Sequence, residues 1–91
     1  MDTLVLISRA HSETAFKLAE ELHKEGSGIH MLFMGRGTHY LNKGDTLKEL
    51  EFANLYTFET EFDSPKEHVK AISYQEFVEL LEKCDRTFTW I

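Results

Sequence analysis

Two short apolar runs set the limits on what this chain can fold into. Residues 4–7 read Leu-Val-Leu-Ile and residues 29–34 read Ile-His-Met-Leu-Phe-Met, neither with the strict polar–apolar alternation of a half-exposed strand. Near-continuous apolar runs of this length belong to strands covered on both faces, the usual condition in parallel sheets. Between them Ala15, Phe16, Leu18, Ala19 and Leu22 recur at helical spacing, with Ser12 placed to cap, Glu13 in the first turn and Gly26 just past Lys24 and Glu25. Strand, helix and strand in succession make a β-α-β unit, whose helix supplies the crossover that a parallel pair requires.

The remainder continues the alternation. After Gly35-Arg36-Gly37, residues 38–41 begin a short helix, residues 45–51 ("DTLKELE") form another, and the aromatic-rich residues 52–58 ("FANLYTF") read as a third strand. Residues 59–67, acidic and containing Ser64-Pro65, read as a loop, with Glu59, Glu61 and Asp63 facing solvent. Residues 68–72 form a short fourth strand. Ser73 followed three residues later by Glu76 has the form of a capping box, and Tyr74, Phe77, Val78 and Leu81 then mark an apolar helical face. The last stretch, "RTFTWI", alternates Thr87 and Thr89 with Phe88 and Trp90, as a half-buried edge strand does. The expected architecture is one domain over residues 1–91, a three-layer α/β/α fold with a mostly parallel sheet of about five strands and helices on both faces.

Composition narrows the functional classes. A domain of 91 residues buries only about 60–65% of its unfolded surface and is marginal alone, so association into an oligomer is expected. The net charge of −6 argues against a broadly basic nucleic-acid surface and leaves room only for local phosphate contacts. One cysteine excludes an internal disulfide and any multi-cysteine metal or iron–sulfur site, which reads as a cytoplasmic chain. The apolar run at the N-terminus is too short for a membrane span. His11, His23, His30, His39 and His68 show no H-x-x-x-H or H-E-x-x-H spacing, so neither a metal nor any other cofactor is expected.

In parallel sheets ligands collect at the carboxyl ends of the strands. There the sequence offers Arg9, His11 and Ser12 after the first strand, and Gly35, Arg36, Gly37, Thr38 and His39 after the second. Glycines admit close backbone approach and arginines supply paired donors for phosphate or carboxylate, so Arg9, His11, Gly35, Arg36, Gly37 and His39 are the anion-site candidates. The competing account has the two glycines only turning the chain and the arginines solvated. Cys84 falls at the end of the last helix, where the negative end of the dipole opposes thiolate formation while Lys83 and Arg86 favour it.

The stretch "ISYQEFVELLEKCDRTFTW" resembles the ending of the DsrE/DsrF/DsrH sulfur-relay family in its DsrH or TusB branch, through Ile72, Tyr74, Phe77, Val78, Leu80 and Trp90. The segments Met31-Leu32-Phe33-Met34-Gly35, Tyr40-Leu41 and Leu55-Tyr56-Thr57-Phe58 resemble the family's middle. The resemblance implies a subunit that assembles with related DsrE/DsrF-like (TusD/TusC-like) partners and helps pass persulfide sulfur toward wobble-uridine thiolation of tRNA or through sulfur oxidation. It also implies that the carrier cysteine belongs in the loop beyond the third strand. Phe58-Glu59-Thr60-Glu61-Phe62-Asp63 contains none, and Cys84 does not match that position. A non-catalytic subunit is therefore expected, with Tyr74, Phe77, Phe88 and Trp90 as interface candidates. The rival expectation is a stand-alone homo-oligomer that binds an anionic ligand or nucleotide at the strand carboxyl edge.

Overall fold

The computed structural model describes residues 1–60 and 68–90. In chain order it contains β1 (Asp2–Ile7), α1 (Glu13–Lys24), β2 (Gly28–Phe33), a 3-10 segment (Gly35–Asn42), α2 (Gly44–Glu49), β3 (Asn54–Phe58), β4 (Val69–Ile72), α3 (Tyr74–Lys83) and β5 (Arg86–Trp90). The strands form one sheet in the order β4-β3-β2-β1-β5, and every pairing is parallel.

This order decides where the helices lie. The chain steps in one direction from β1 to β4 and then returns across the whole sheet to place β5 beside β1. Right-handed crossovers put connections that step in opposite directions on opposite faces. One face accordingly packs Val5, Ile7, Ile29, Met31, Phe33 and Leu55 against Ala15, Ala19 and Leu22 of α1, Tyr40 and Leu41 of the 3-10 segment, and Leu47 of α2. The other packs Leu4, Leu32 and Ile72 against Leu80 and Cys84 at the end of α3. Both apolar runs are covered on both faces, with only Leu6 and Met34 partly exposed.

Several boundaries and roles differ from expectation. The third strand starts at Asn54 rather than Phe52, because the ring of Phe52 stacks on His23 at the end of α1, 4.9 Å between centroids, and Ala53 N–H closes a turn onto Leu50 O. The fourth strand starts at Val69, with His68 in the preceding turn. The helix expected over residues 38–41 is a longer 3-10 segment that begins at Gly35. Glu61, Asp63, Ser64 and Pro65 lie outside the described residues, as does Ile91, while Glu59 is exposed.

Ser73 and Glu76 form the expected capping box in both directions, Glu76 N–H to Ser73 Oγ at 3.2 Å and Ser73 N–H to Glu76 Oε1 at 3.1 Å. The apolar face of that helix is wider than the sheet can cover. Leu80 is buried and Phe77 partly so, but Val78 and Leu81 are each 37% exposed and Tyr74 is 73% exposed. Leu6, Tyr56 and Phe58 of the sheet, and Met34 just after β2, are also only partly buried on this face.

Candidate functional site

The β1–α1 loop and the start of the 3-10 segment meet at the carboxyl edge of the sheet. Gly37 brings them together. A methyl group on its Cα would stand 2.5 Å from the Ile7 carbonyl oxygen and 3.0 Å from Ile7 Cγ2, so only glycine lets this backbone press onto the end of β1. Hydrogen bonds from Met34 N–H to Ile7 O at 2.9 Å and from Gly37 N–H to Met34 O at 2.9 Å hold the approach. Gly35 makes the turn itself, at φ +52°. Arg36, between the two glycines, is thereby set beside the loop after β1. Ser8, Arg9, Ala10, His11 and Arg36 line an open cleft of about 350 Å³.

The loop is braced from within. His39 Nε2 lies 2.6 Å from Ala10 O, and its ring rests on Tyr40 with centroids 4.0 Å apart. Trp90 Nε1–H donates to His11 O at 3.2 Å, and the Arg9 guanidinium lies 5.7 Å from the centre of the Trp90 ring. Ser12 stands at the capping position just ahead of α1, but its side chain does not cap the helix. Its backbone is out of the usual capping region at φ −133°, ψ 20°, and its hydroxyl turns back to Arg9 O at 3.0 Å. The buried Ser12 N–H donates instead to Tyr40 Oη at 2.8 Å, and Tyr40 O–H donates onward to Glu13 Oε2 at 2.8 Å. That bond leads the causes that hold the Glu13 carboxyl below the usual carboxylate range, while burial, reinforced by Glu13, raises the Tyr40 phenol.

Of the anion-site candidates, then, Arg9, His11 and Arg36 line one cleft, Gly35 and Gly37 shape it, and His39 is a strut beneath it. The four interface candidates do not share a surface. Trp90 packs against the α1-side core and Phe88, 38% exposed, is in register with Val5 of that core. Tyr74 and Phe77 belong to α3 on the opposite face.

Cys84 lies at the other end of the sheet. It ends α3, and the next residue, Asp85, donates from its N–H to Asp2 O at 2.8 Å at the amino end of β1. The five-to-six-residue strands separate it from the carboxyl edge by roughly 20 Å. Burial is the main force that pushes its thiol pKa up, with the nearby Asp2 carboxylate adding to it and Lys83 opposing. Close by is a buried arrangement that sequence reading passed over. His30 Nδ1 lies 3.1 Å from Tyr56 Oη, and His30 Nε2 lies 3.5 Å from Asp2 Oδ2. Desolvation lowers the His30 pKa and Asp2 only partly restores it. The usable signal was His30 itself, a polar residue inside an apolar run, since a buried imidazole needs partners.

The five-stranded parallel sheet with helices on both faces makes an α/β fold. A crystal structure that shares it is that of the ychN protein of E. coli, which superposes with a TM-score of 0.76 over 98% of this chain and 97% of that one at 14% sequence identity. At that identity the likeness is one of fold. No protein-family profile matches the chain, and no curated protein matches it by sequence. No helix among the described residues is long and apolar enough to cross a membrane.

Proposed function

We propose that this chain is a non-catalytic subunit of a sulfur-relay assembly, associating with related cysteine-bearing subunits and supporting persulfide transfer for wobble-uridine 2-thiolation of tRNA or for sulfur oxidation. The α/β fold agrees with this reading at the level of architecture. The observation that carries the non-catalytic part is the place of Cys84. A sulfur carrier needs a thiolate that is both populated and reachable, because the terminal sulfur must be taken from one partner and handed to another. The only cysteine of this chain is buried, has its pKa raised, and sits at the amino edge of the sheet instead of in the connection after β3. The partnering part draws on the stripe of Tyr74, Val78 and Leu81 along α3, apolar surface that a small domain gains by covering.

Incubation with a cysteine desulfurase and its substrate, followed by intact-mass measurement, tests the first part. The expected spectrum shows no gain of one sulfur atom (~32 Da) on the native protein. A persulfide adduct that disappears in Cys84→Ser would overturn it. Affinity purification from the native host tests the second part; homologous subunits with a cysteine after their third strand should co-elute, and recovery of a pure homo-oligomer would refute the assembly.

A further inference from the structure

The cleft at the carboxyl edge has features that a subunit acting only through its interfaces does not require. We infer that the cleft between the β1–α1 loop and Arg36 is a binding site for a phosphate dianion, free or carried as the monoester of a small molecule. Three observations converge on it. First, the charge is local and of the right kind. The chain carries a net charge of −6 and has only three arginines, Arg9, Arg36 and Arg86, yet two of them line this one cleft together with His11. Arginine presents paired N–H donors in a fixed plane that match two oxygens of a phosphate, which the chain's lysines would meet only as point charges.

Second, among the described residues three carbonyl oxygens of the loop are turned to partners within the chain. The carbonyl oxygens of Arg9, Ala10 and His11, which would oppose an anion, are each engaged within the chain, by Ser12 Oγ, His39 Nε2 and Trp90 Nε1. Third, the elements that line the cleft are fixed in place. Gly37 packs its backbone against Ile7 and bonds to Met34 O, and Met34, just ahead of the 3-10 segment, bonds in turn to Ile7 O, which ties the start of the segment and Arg36 to the end of β1. A site whose donors are held in advance loses less entropy when the ligand arrives.

The dimensions favour a small ligand over a polymer. About 350 Å³ holds a phosphate and a modest appended group. A polynucleotide would need a basic track beyond the cleft, and the first eight residues of α1 beside it carry Glu13 and Glu20 against the single Lys17.

Titration calorimetry at low ionic strength, with inorganic phosphate and with AMP in separate arms, tests the inference on the full chain. Binding in either arm is expected, with AMP tighter if the natural ligand is an ester and equal affinities if it is free phosphate. Arg36→Ala should weaken it by about tenfold or more, the worth of a charge-assisted hydrogen bond, and Arg36→Lys should fall between the two. Lys48→Ala removes the same net charge from exposed α2 and should leave affinity unchanged. Amide resonances of Ala10 and His11 should shift on titration. Absence of binding at millimolar phosphate and AMP, or equal losses in Arg36→Ala and Lys48→Ala, would overturn the site. Tight binding of a single-stranded RNA that depends on Arg36, with none of AMP, would overturn the assignment to a small ligand. These outcomes are independent of whether Cys84 accepts sulfur.

Discussion

Replacing Gly37 with alanine isolates the contact on which the carboxyl-edge cleft is built. The new methyl carbon would lie 2.5 Å from Ile7 O, 3.0 Å from the Ile7 carbonyl carbon and 3.0 Å from Ile7 Cγ2. Two of these three atoms are backbone, so no side-chain rotation relieves the collision. The 3-10 segment must instead lift by several tenths of an ångström, against the 2.9 Å bonds Met34 N–H to Ile7 O and Gly37 N–H to Met34 O. Overpacking of this kind costs about 1–3 kcal/mol. For a domain of this size that corresponds to a drop in Tm of roughly 5–20 °C. Gly44→Ala is the matched control. It opens α2, nothing lies within 4 Å of its added methyl, and alanine in a helix is favoured over glycine, so Tm should stay or rise by a few degrees. Thermal and urea unfolding of both variants, followed by circular dichroism, gives the comparison. If Gly37→Ala melts with the wild type while Gly44→Ala behaves as stated, the close approach at Ile7 is not there and the geometry of the cleft fails with it.

Other consequences can be checked on the same material. Tyr40→Phe removes the acceptor of the buried Ser12 N–H and the donor to Glu13, and should cost about 1–3 kcal/mol in urea unfolding; a smaller loss would mean that the loop is not braced there. Ser73→Ala deletes one half of the capping box and should cost about 1 kcal/mol, with loss of amide-exchange protection confined to the first turn of α3. The desolvated His30, faced by Asp2, Tyr56 and Lys83, has a pKa below its unfolded value, so the unfolded chain binds the proton more readily. Stability should therefore fall as pH drops below about 6.5, by no more than about 1.4 kcal/mol per pH unit for this one proton. The pH profile of His30→Gln should lack that component, and identical slopes in the two proteins would remove His30 as its source.

How much of this was written in the chain divides along the range of the forces. Features governed by near neighbours were legible from the residues alone. The near-continuous apolar runs of β1 and β2 fit strands covered on both sides, the spacing of Ala15, Ala19 and Leu22 fits a helix, and Ser73 with Glu76 closes a capping box over three residues. The candidates Arg9, His11 and Arg36 followed from the same reasoning, because loops after parallel strands share an edge whatever the strand order.

What tertiary structure alone decided depended on partners distant in sequence. Ser12 has the chemistry of a helix cap, yet Tyr40 takes over its backbone N–H, and nothing within a helical turn of Ser12 announces that. Tyr74, Val78 and Leu81 read as one apolar helical face, and only the sheet beneath α3 decides that it leaves them exposed. The strand order carried the largest consequence. By returning across the sheet to lay β5 beside β1, the chain puts Trp90 under Arg9 and ties Asp85 to Asp2 at the opposite end, close to Cys84. Local propensity acts over a few residues and is silent on which strands become neighbours; that choice is made by the handedness of crossovers and the burial of whole faces. It places the cationic cleft at one edge of the sheet and the lone thiol at the other.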